Sequence, residues 1–145
     1  MTFLERYAIA ADVKRWIRKL YKAGFLPHIW GTTKSLWRYL NACQVIYEKE
    51  RGICIYAVMG RAKDKIRIHM MMRNPECPDG TVAARMLKQV VDIARRKGIR
   101  QVYMNVTDEQ DESLMRFARQ YMVEQDRGVA TGCKEVRYTT FAINL

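Results

Sequence analysis

The central part of the chain alternates between the two hydrophobic repeats that distinguish strands from helices. An apolar run at residues 65–74 predicts a strand, and a segment rich in turn-forming residues at 75–80 ends it. Apolar side chains then recur at helical spacing over 81–97, which predicts a helix that Gly98 ends. A strand at 100–106 and a helix beginning near Asp111 follow. The strand–helix–strand order favours parallel pairing of these two strands.

The flanking segments add further helices and strands. Residues 2–7 suggest a short first strand, and the other predicted elements are helices at 9–22 and from Thr32 or Thr33 to Leu40, strands at 43–48 and 53–59, and closing strands at 122–127 and 136–143. Short turns join the three strands between residues 43 and 74, which predicts an antiparallel meander. The length predicts one domain that spans residues 1–145.

Charge is the strongest feature of the composition. Lys and Arg total 26 against 15 Asp and Glu, which gives a net charge of +11. Such an excess predicts contact with a polyanion or another anionic partner, such as nucleic acid, a phosphate-bearing cofactor or an acidic protein surface. The basic residues are spread over nearly every segment, which somewhat favours the simpler interpretation that they only solvate the surface.

Several classes of protein are disfavoured by the sequence. No apolar run approaches the roughly 20 residues of a membrane-spanning helix, so no membrane span is expected. The first residues lack the apolar core of a secretion signal, which predicts a cytoplasmic location and reduced thiols. No metal site is predicted either, because the four cysteines are widely spaced and neither His28 nor His69 lies at zinc-ligand spacing from them.

Two stretches resemble the Gcn5-related N-acetyltransferase (GNAT) superfamily. Residues 84–106, ARMLKQVVDIARRKGIRQVYMNV, are similar to the family's leucine-rich helix, its "ARxxG" sequence and the following strand. Residues 111–117, DESLMRF, are similar to its "N-x-x-A-x-x-F" helix start, and 127–143 to its closing strands. The resemblance implies an α+β, three-layer fold: a mixed, mostly antiparallel central sheet with helices on both faces.

The resemblance also implies a site for acetyl-CoA where the strands at 65–74 and 100–106 separate. The family's pyrophosphate turn, Q/R-x-x-G-x-G/A, aligns with residues 78–83, PDGTVA, where only Ala83 fits the pattern. Pro78 has no N–H to donate, and Asp79 adds a negative charge, so loss of cofactor binding stays an open alternative. The cofactor-binding residues that the resemblance implies are Met71, Met72, Gly80, Thr81, Val82, Ala83, Ala84, Arg85, Asn105 and Phe117.

The implied activity is transfer of an acetyl group from acetyl-CoA to a primary amine by direct attack. The family's proton-donating tyrosine aligns with Ala118, and Tyr121, one helical turn later, is a candidate substitute. His69 is the candidate base because it titrates near neutrality, and Glu48 is a second candidate.

The alternative is a catalytically inactive protein of this fold with a structural or interaction role, for example a component of a bacteriophage virion. A third interpretation is a module that associates with nucleic acid through phosphate contacts. These interpretations differ in the expected partner, which is an amine substrate, a protein or a polyanion. An oligomer is compatible with each, and the virion is the alternative to a cytoplasmic location.

Overall fold

A computed structural model describes residues 1–22, 33–107, 112–130 and 136–145. These residues form four helices and six strands: α1 (Phe3–Lys22), α2 (Thr33–Ala42), β1 (Gln44–Glu48), β2 (Gly52–Met59), β3 (Lys65–Arg73), α3 (Val82–Arg96), β4 (Gln101–Thr107), α4 (Glu112–Tyr121), β5 (Val123–Ala130) and β6 (Val136–Asn144). From the strand at 43–48 onwards, each predicted element is present close to its predicted bounds. The closing strand predicted at 122–127 continues further than predicted, because β5 extends to Ala130.

The predicted strand at residues 2–7 is wrong, because these residues form the beginning of α1. The Glu5 N–H donates to Thr2 Oγ1 at 3.1 Å, and the Thr2 N–H donates to Glu5 Oε2 at 3.2 Å. This reciprocal pair is a capping box, which satisfies donors that a helix start otherwise leaves without partners. No helix in the described ranges is both long enough and apolar enough to cross a membrane.

The six strands form one sheet in the order β1-β2-β3-β4-β6-β5. β3 and β4 pair in parallel across the crossover made by α3, and the other neighbouring strands pair antiparallel. The predicted mixed, mostly antiparallel sheet and the predicted parallel pair are therefore both confirmed.

Helices cover both faces of this sheet, so the fold has the three predicted layers. On one face, α1 and α2 pack against β1–β3 around the fully buried Trp16. On the other face, α3 and α4 pack against β2, β3, β4 and β6 around Met86, Val90 and Phe141. Two separate apolar clusters thus hold the helices to the sheet by removing apolar surface from water.

A bulge in β3 changes which face its side chains occupy. Ile68 is opposite Tyr56 of β2, and Met70 is opposite Ile55, the residue directly before Tyr56. Two residues of β3 therefore correspond to one step of β2, and His69 is an extra residue in the strand. Ile68 belongs to the cluster under α3 and α4, whereas Met70 belongs to the cluster under α1 and α2. An extra residue of this kind reverses the alternation of faces and bends the strand locally.

Candidate functional site

The two parallel strands separate halfway along their length. Their register pairs Lys65 with Gln101 and continues as far as Ile68 with Met104, and no pairing between β3 and β4 follows in the described residues. Beyond that point β3 continues to Arg73 and β4 to Thr107. The result is an open notch between the strands, at the end of the sheet where both strands finish.

The walls of the notch consist of main chain. Met71 and Met72 pair with β2 on one side of β3. On the notch side, β3 has no strand partner beyond Ile68 within the described residues. In an antiparallel ladder, alternate residues direct their N–H and C=O groups away from the partner strand. The notch therefore offers main-chain donors and acceptors to an extended, amide-containing ligand.

The predicted cofactor side chains differ in how accessible they are. Met72 is buried under α1 and α2, Met71 packs at the edge of the cluster under α3, and Val82 is fully buried beneath the first turn of α3. These three residues can offer their main chain to a ligand. Gly80 and Thr81 are exposed, and the half-buried Ala83 and Ala84 lie in the first turn of α3. Free N–H groups of a helix's first turn, with the helix dipole, favour an anion there.

Asp79 already places a negative charge at this helix start. Its Oδ1 accepts hydrogen bonds from the Thr81 N–H at 2.8 Å and from Thr81 Oγ1 at 2.6 Å. These bonds, with help from Arg85, lower the pKa of the Asp79 carboxyl to about 2, so it is ionised at neutral pH. An incoming phosphate would meet this carboxylate beside the helix start.

Arg85 is committed to partners within the protein. Its Nη2 donates to Glu48 Oε1 at 2.6 Å, and its Nη1 lies 3.3 Å from Asp79 Oδ2. The same Nη1 donates to Thr81 Oγ1 at 3.1 Å. The structure thus brings Arg85 to the predicted phosphate turn but pairs it with two carboxylates. Glu48, the second candidate base, is held in this ion pair rather than left free to accept a proton.

His69 lies where the notch begins. It is the first β3 residue after the pairing with β4 ends, and its ring packs against Tyr39 of α2 with a centroid distance of 5.0 Å. Burial, and secondarily the positive charge of Arg67, lower the pKa of His69 below its ordinary value of 6.5. The imidazole is therefore neutral at neutral pH and can accept a proton.

The opposite wall contributes Asn105, the first β4 residue beyond the pairing. Its Oδ1 accepts a hydrogen bond from Thr140 Oγ1 of β6 at 2.8 Å, which fixes the orientation of the side chain. Phe117 packs at the edge of the cluster under α3 and α4, and the centroid of its ring lies 4.9 Å from the centroid of the Tyr121 ring.

Tyr121 ends α4 and is 45% exposed. The strand that follows begins at Val123, which is in register with Ala142 of β6 and through it with Tyr103 of β4. Tyr103 lies in the paired part of β4, one residue before the pairing with β3 ends. The role of Tyr121 as a proton donor stays a prediction, and Ala118 is fully buried.

The register thus places His69 and Asn105 on the two walls where the notch begins, and the first turn of α3 packs near Gly52 of β2, opposite the end of β3. Sequence reasoning did not find Tyr39, Arg67 or Thr140, which bear on His69 and Asn105. Tyr39 and Thr140 come from other elements, Arg67 lies two residues before His69 in the same strand, and no motif at these positions predicts the contacts. In the described residues no group of three or more His, Cys, Asp or Glu side chains could hold a metal ion. Cys43, Cys54 and Cys77 are free thiols, whereas Cys133 and His28 lie outside the described residues.

Comparison with known proteins identifies solved structures that have a similar fold. No protein-family model matches the chain, and no curated protein matches its sequence. Similar solved structures include a GCN5-related N-acetyltransferase from Rhodopseudomonas palustris, with a TM-score of 0.69, 15% identity, and coverage of 100% of this chain and 92% of the other. A ribosomal-protein-alanine N-acetyltransferase from Brucella melitensis has a TM-score of 0.70 at 12% identity, with coverage of 100% and 97%.

A third similar structure, a GNAT family acetyltransferase from Elizabethkingia anophelis, has acetyl-CoA bound. It matches with a TM-score of 0.62 at 12% identity, covering 83% of this chain and 88% of the other. At these identities the comparisons establish the fold, and the predicted resemblance to the GNAT fold is confirmed.

Proposed function

We propose that this chain binds acetyl-CoA in the notch between β3 and β4 and transfers the acetyl group to a primary amine. The observation that carries the proposal is the end of the β3–β4 pairing at Ile68 and Met104, beyond which β3 continues to Arg73 without pairing with β4 in the described residues. The bound acetyl-CoA in a protein of similar fold supports the choice of ligand. Fold alone does not determine activity, so the proposal rests on the notch and its residues.

The described residues fit the two ends of this ligand unequally. The unpaired edges of β3 at Met71 and Met72 suit the amide-containing arm, because they offer main-chain hydrogen bonds in a strand-like arrangement. The N–H groups of Ala83 and Ala84 suit the pyrophosphate, but the Asp79 carboxylate opposes it. We therefore expect binding to depend mainly on the arm, with a weaker contribution from the phosphates.

Bound acetyl-CoA would supply an activated acyl carbon: the C–N bond to the amine forms as the C–S bond breaks, and the departing thiolate takes up a proton. We assign His69 the role of accepting the proton that the amine loses, because its imidazole is neutral and lies at the start of the notch. Asn105, oriented by Thr140, would help to position the ligand from the opposite wall.

Ala118 has no proton to give to the thiolate, so we propose that solvent supplies it. A positioned proton donor typically accelerates a reaction by roughly 10²–10⁴-fold, so transfer without one should be slow.

A protein of this fold that has lost the cofactor is the second candidate, with a structural or interaction role such as that of a virion component. One observation favours it, namely that Asp79 and Glu48 occupy Arg85 at the predicted phosphate turn. A cytoplasmic or virion location and an oligomeric assembly remain predictions that accompany the two candidates.

Calorimetric titration with acetyl-CoA at moderate salt distinguishes the two candidates. Salt is needed because a protein of net charge +11 attracts polyanions weakly by charge alone. Stoichiometric binding that survives salt supports the proposal. If the unmodified chain does not bind acetyl-CoA, the proposed enzymatic function is refuted and the structural role is the candidate that is left.

Ala83→Glu then tests where the ligand binds. It places charge and bulk in the first turn of α3, where an acidic side chain does not harm the helix itself. We expect it to abolish acetyl-CoA binding. Gln89→Glu makes the same change in charge at an exposed position later in α3 and should bind like the parent. Equal binding by Ala83→Glu and the parent would show that the cofactor lies elsewhere.

A further inference from the structure

The end of the sheet opposite the notch carries a dense group of positive charges. It consists of seven exposed side chains in the segments 60–65 and 95–100, which we call the basic end: Arg61, Lys63, Lys65, Arg95, Arg96, Lys97 and Arg100. The same two segments contain one acidic residue, Asp64. None of the seven side chains forms an ion pair with a carboxylate in the described part of the chain.

The fold brings the two segments together although they are thirty-odd residues apart in the chain. Lys65 begins β3 and pairs with Gln101 at the beginning of β4, so the turn before β3 lies beside the end of α3. A main-chain hydrogen bond from the Arg100 N–H to the Asp64 carbonyl, 3.0 Å long, fixes the contact. The ends of β2 and β6 lie beside these segments, because Met59 of β2 is opposite Lys65 and Asn144 of β6 is opposite Gln101.

Two basic residues at the notch end are paired with carboxylates. Lys19 Nζ lies 2.5 Å from Glu76 Oε1, and Arg85 pairs with Glu48 and Asp79. The basic end differs from that end in the density of its charges, because seven cations without a carboxylate partner in the described residues lie in two adjoining segments. These cations together produce a positive field at the end of the sheet that the proposed acetyl transfer does not use.

We propose that the basic end binds the phosphate backbone of double-stranded nucleic acid. Three neighbouring strands, β2, β3 and β4, border the two segments, and at about 4.8 Å between strands they span about 10 Å. Along the axis of a duplex one strand presents a phosphate about every 3.4 Å, so this distance spans about three phosphates.

The composition of the surface favours a duplex over other anionic partners. The two segments contain no aromatic residue on which unpaired bases could stack, so contact with the backbone of paired strands is expected. They also present none of the large exposed apolar side chains on which the core of a protein–protein interface depends. Binding should therefore be independent of base sequence and strongly dependent on salt.

The test measures binding of the full chain to short fluorescently labelled duplexes of DNA and of RNA, by anisotropy over a range of salt concentrations. The variant Arg61→Gln/Arg95→Gln/Lys97→Gln removes three charges from the basic end. The control variant Arg18→Gln/Lys22→Gln/Lys49→Gln removes three charges from exposed positions elsewhere. Both variants have the same net charge, so they differ in where the charge was lost.

For the parent we expect a slope of about −3 in log affinity against log salt, as about three phosphate contacts imply. The basic-end variant should bind at least about tenfold more weakly at moderate salt and lose about two to three units of this slope, whereas the control should keep both values. Comparison of the two duplexes identifies the preferred nucleic acid. Equal weakening of both variants, or tighter binding of a labelled single strand than of either duplex, would overturn the proposal.

Discussion

Gly52→Ala tests the close contact that holds the beginning of α3 against the sheet. Gly52 begins β2, opposite Glu48 on one side and Arg73 on the other. A Cβ atom at this position would lie 2.8 Å from the Met72 carbonyl oxygen and 2.8 Å from Val82 Cγ1. Apolar carbon atoms prefer separations of about 3.5–4.0 Å, so the new methyl group requires a shift of about 1 Å.

Little in the surroundings can absorb this shift cheaply. The Met72 oxygen belongs to the backbone, and Val82 is fully buried and has a branched side chain with few accessible rotamers. We therefore expect the first turn of α3 to lift from the sheet. Overpacking of this kind costs about 1–3 kcal/mol in the free energy of unfolding. At about 3 °C per kcal/mol for a chain of this size, the unfolding midpoint should fall by about 3–9 °C.

Chemical denaturation monitored by circular dichroism measures the change in free energy and thermal unfolding measures the change in midpoint, with Gly80→Ala as the matched control. A Cβ at Gly80 meets nothing within 4 Å, and its φ is not positive. Gly80→Ala should therefore be neutral, or stabilising by about 0.4–1 kcal/mol through the unfolded state. If Gly52→Ala is as stable as Gly80→Ala, the inferred packing of α3 on β2 is incorrect.

Three further predictions concern single side chains. Asp79→Asn keeps an oxygen that can accept from the Thr81 N–H but removes a charge, so acetyl-CoA should bind about three- to tenfold more tightly by calorimetry at low salt; unchanged or weaker binding would contradict the inferred repulsion. Because burial lowers the pKa of His69 below 6.5, the unfolded chain takes up the proton first and stability falls as the pH drops below that value. The free energy of unfolding should accordingly fall more in the parent than in His69→Gln between about pH 7.5 and about pH 5.5, and an equal fall in both would show that His69 is not the group responsible. Burial raises the pKa of Cys54 to about 12, so in the native protein maleimide should label the half-buried Cys77 and spare Cys54, as mass spectrometry of peptides can show; early labelling of Cys54 would contradict its burial.

Local signals were sufficient to predict most of the fold. The α3 and β4 elements were predicted because the hydrophobic period changes sharply at Gly98, where the chain adopts a positive φ of 69°. The beginning of α1 was missed although its signal is present, since Thr2 and Glu5 have the spacing of a capping box. Apolar residues among the first seven suggested a strand, and burial of one face of a long helix prevailed instead.

The site was less predictable, because its properties depend on contacts between distant segments. The turn at 78–83 was located from the resemblance, but its electrostatics depend on Glu48, thirty-seven residues before Arg85. The lowered pKa of His69 depends mainly on burial, including its contact with Tyr39 of α2, which the strand's own sequence does not predict. Pairwise electrostatics of this kind require the coordinates.

The bulge at His69 has a consequence for the energy of ligand entry. A ligand that had to pull two paired strands apart would break main-chain hydrogen bonds, each worth about 0.5–1.5 kcal/mol. In this protein the extra residue bends β3 at the point where its pairing with β4 stops, so no such bonds between β3 and β4 need to be broken. The cost of holding the strands apart is met once, during folding. An extended ligand can therefore bind without a loss of affinity from breaking hydrogen bonds between β3 and β4.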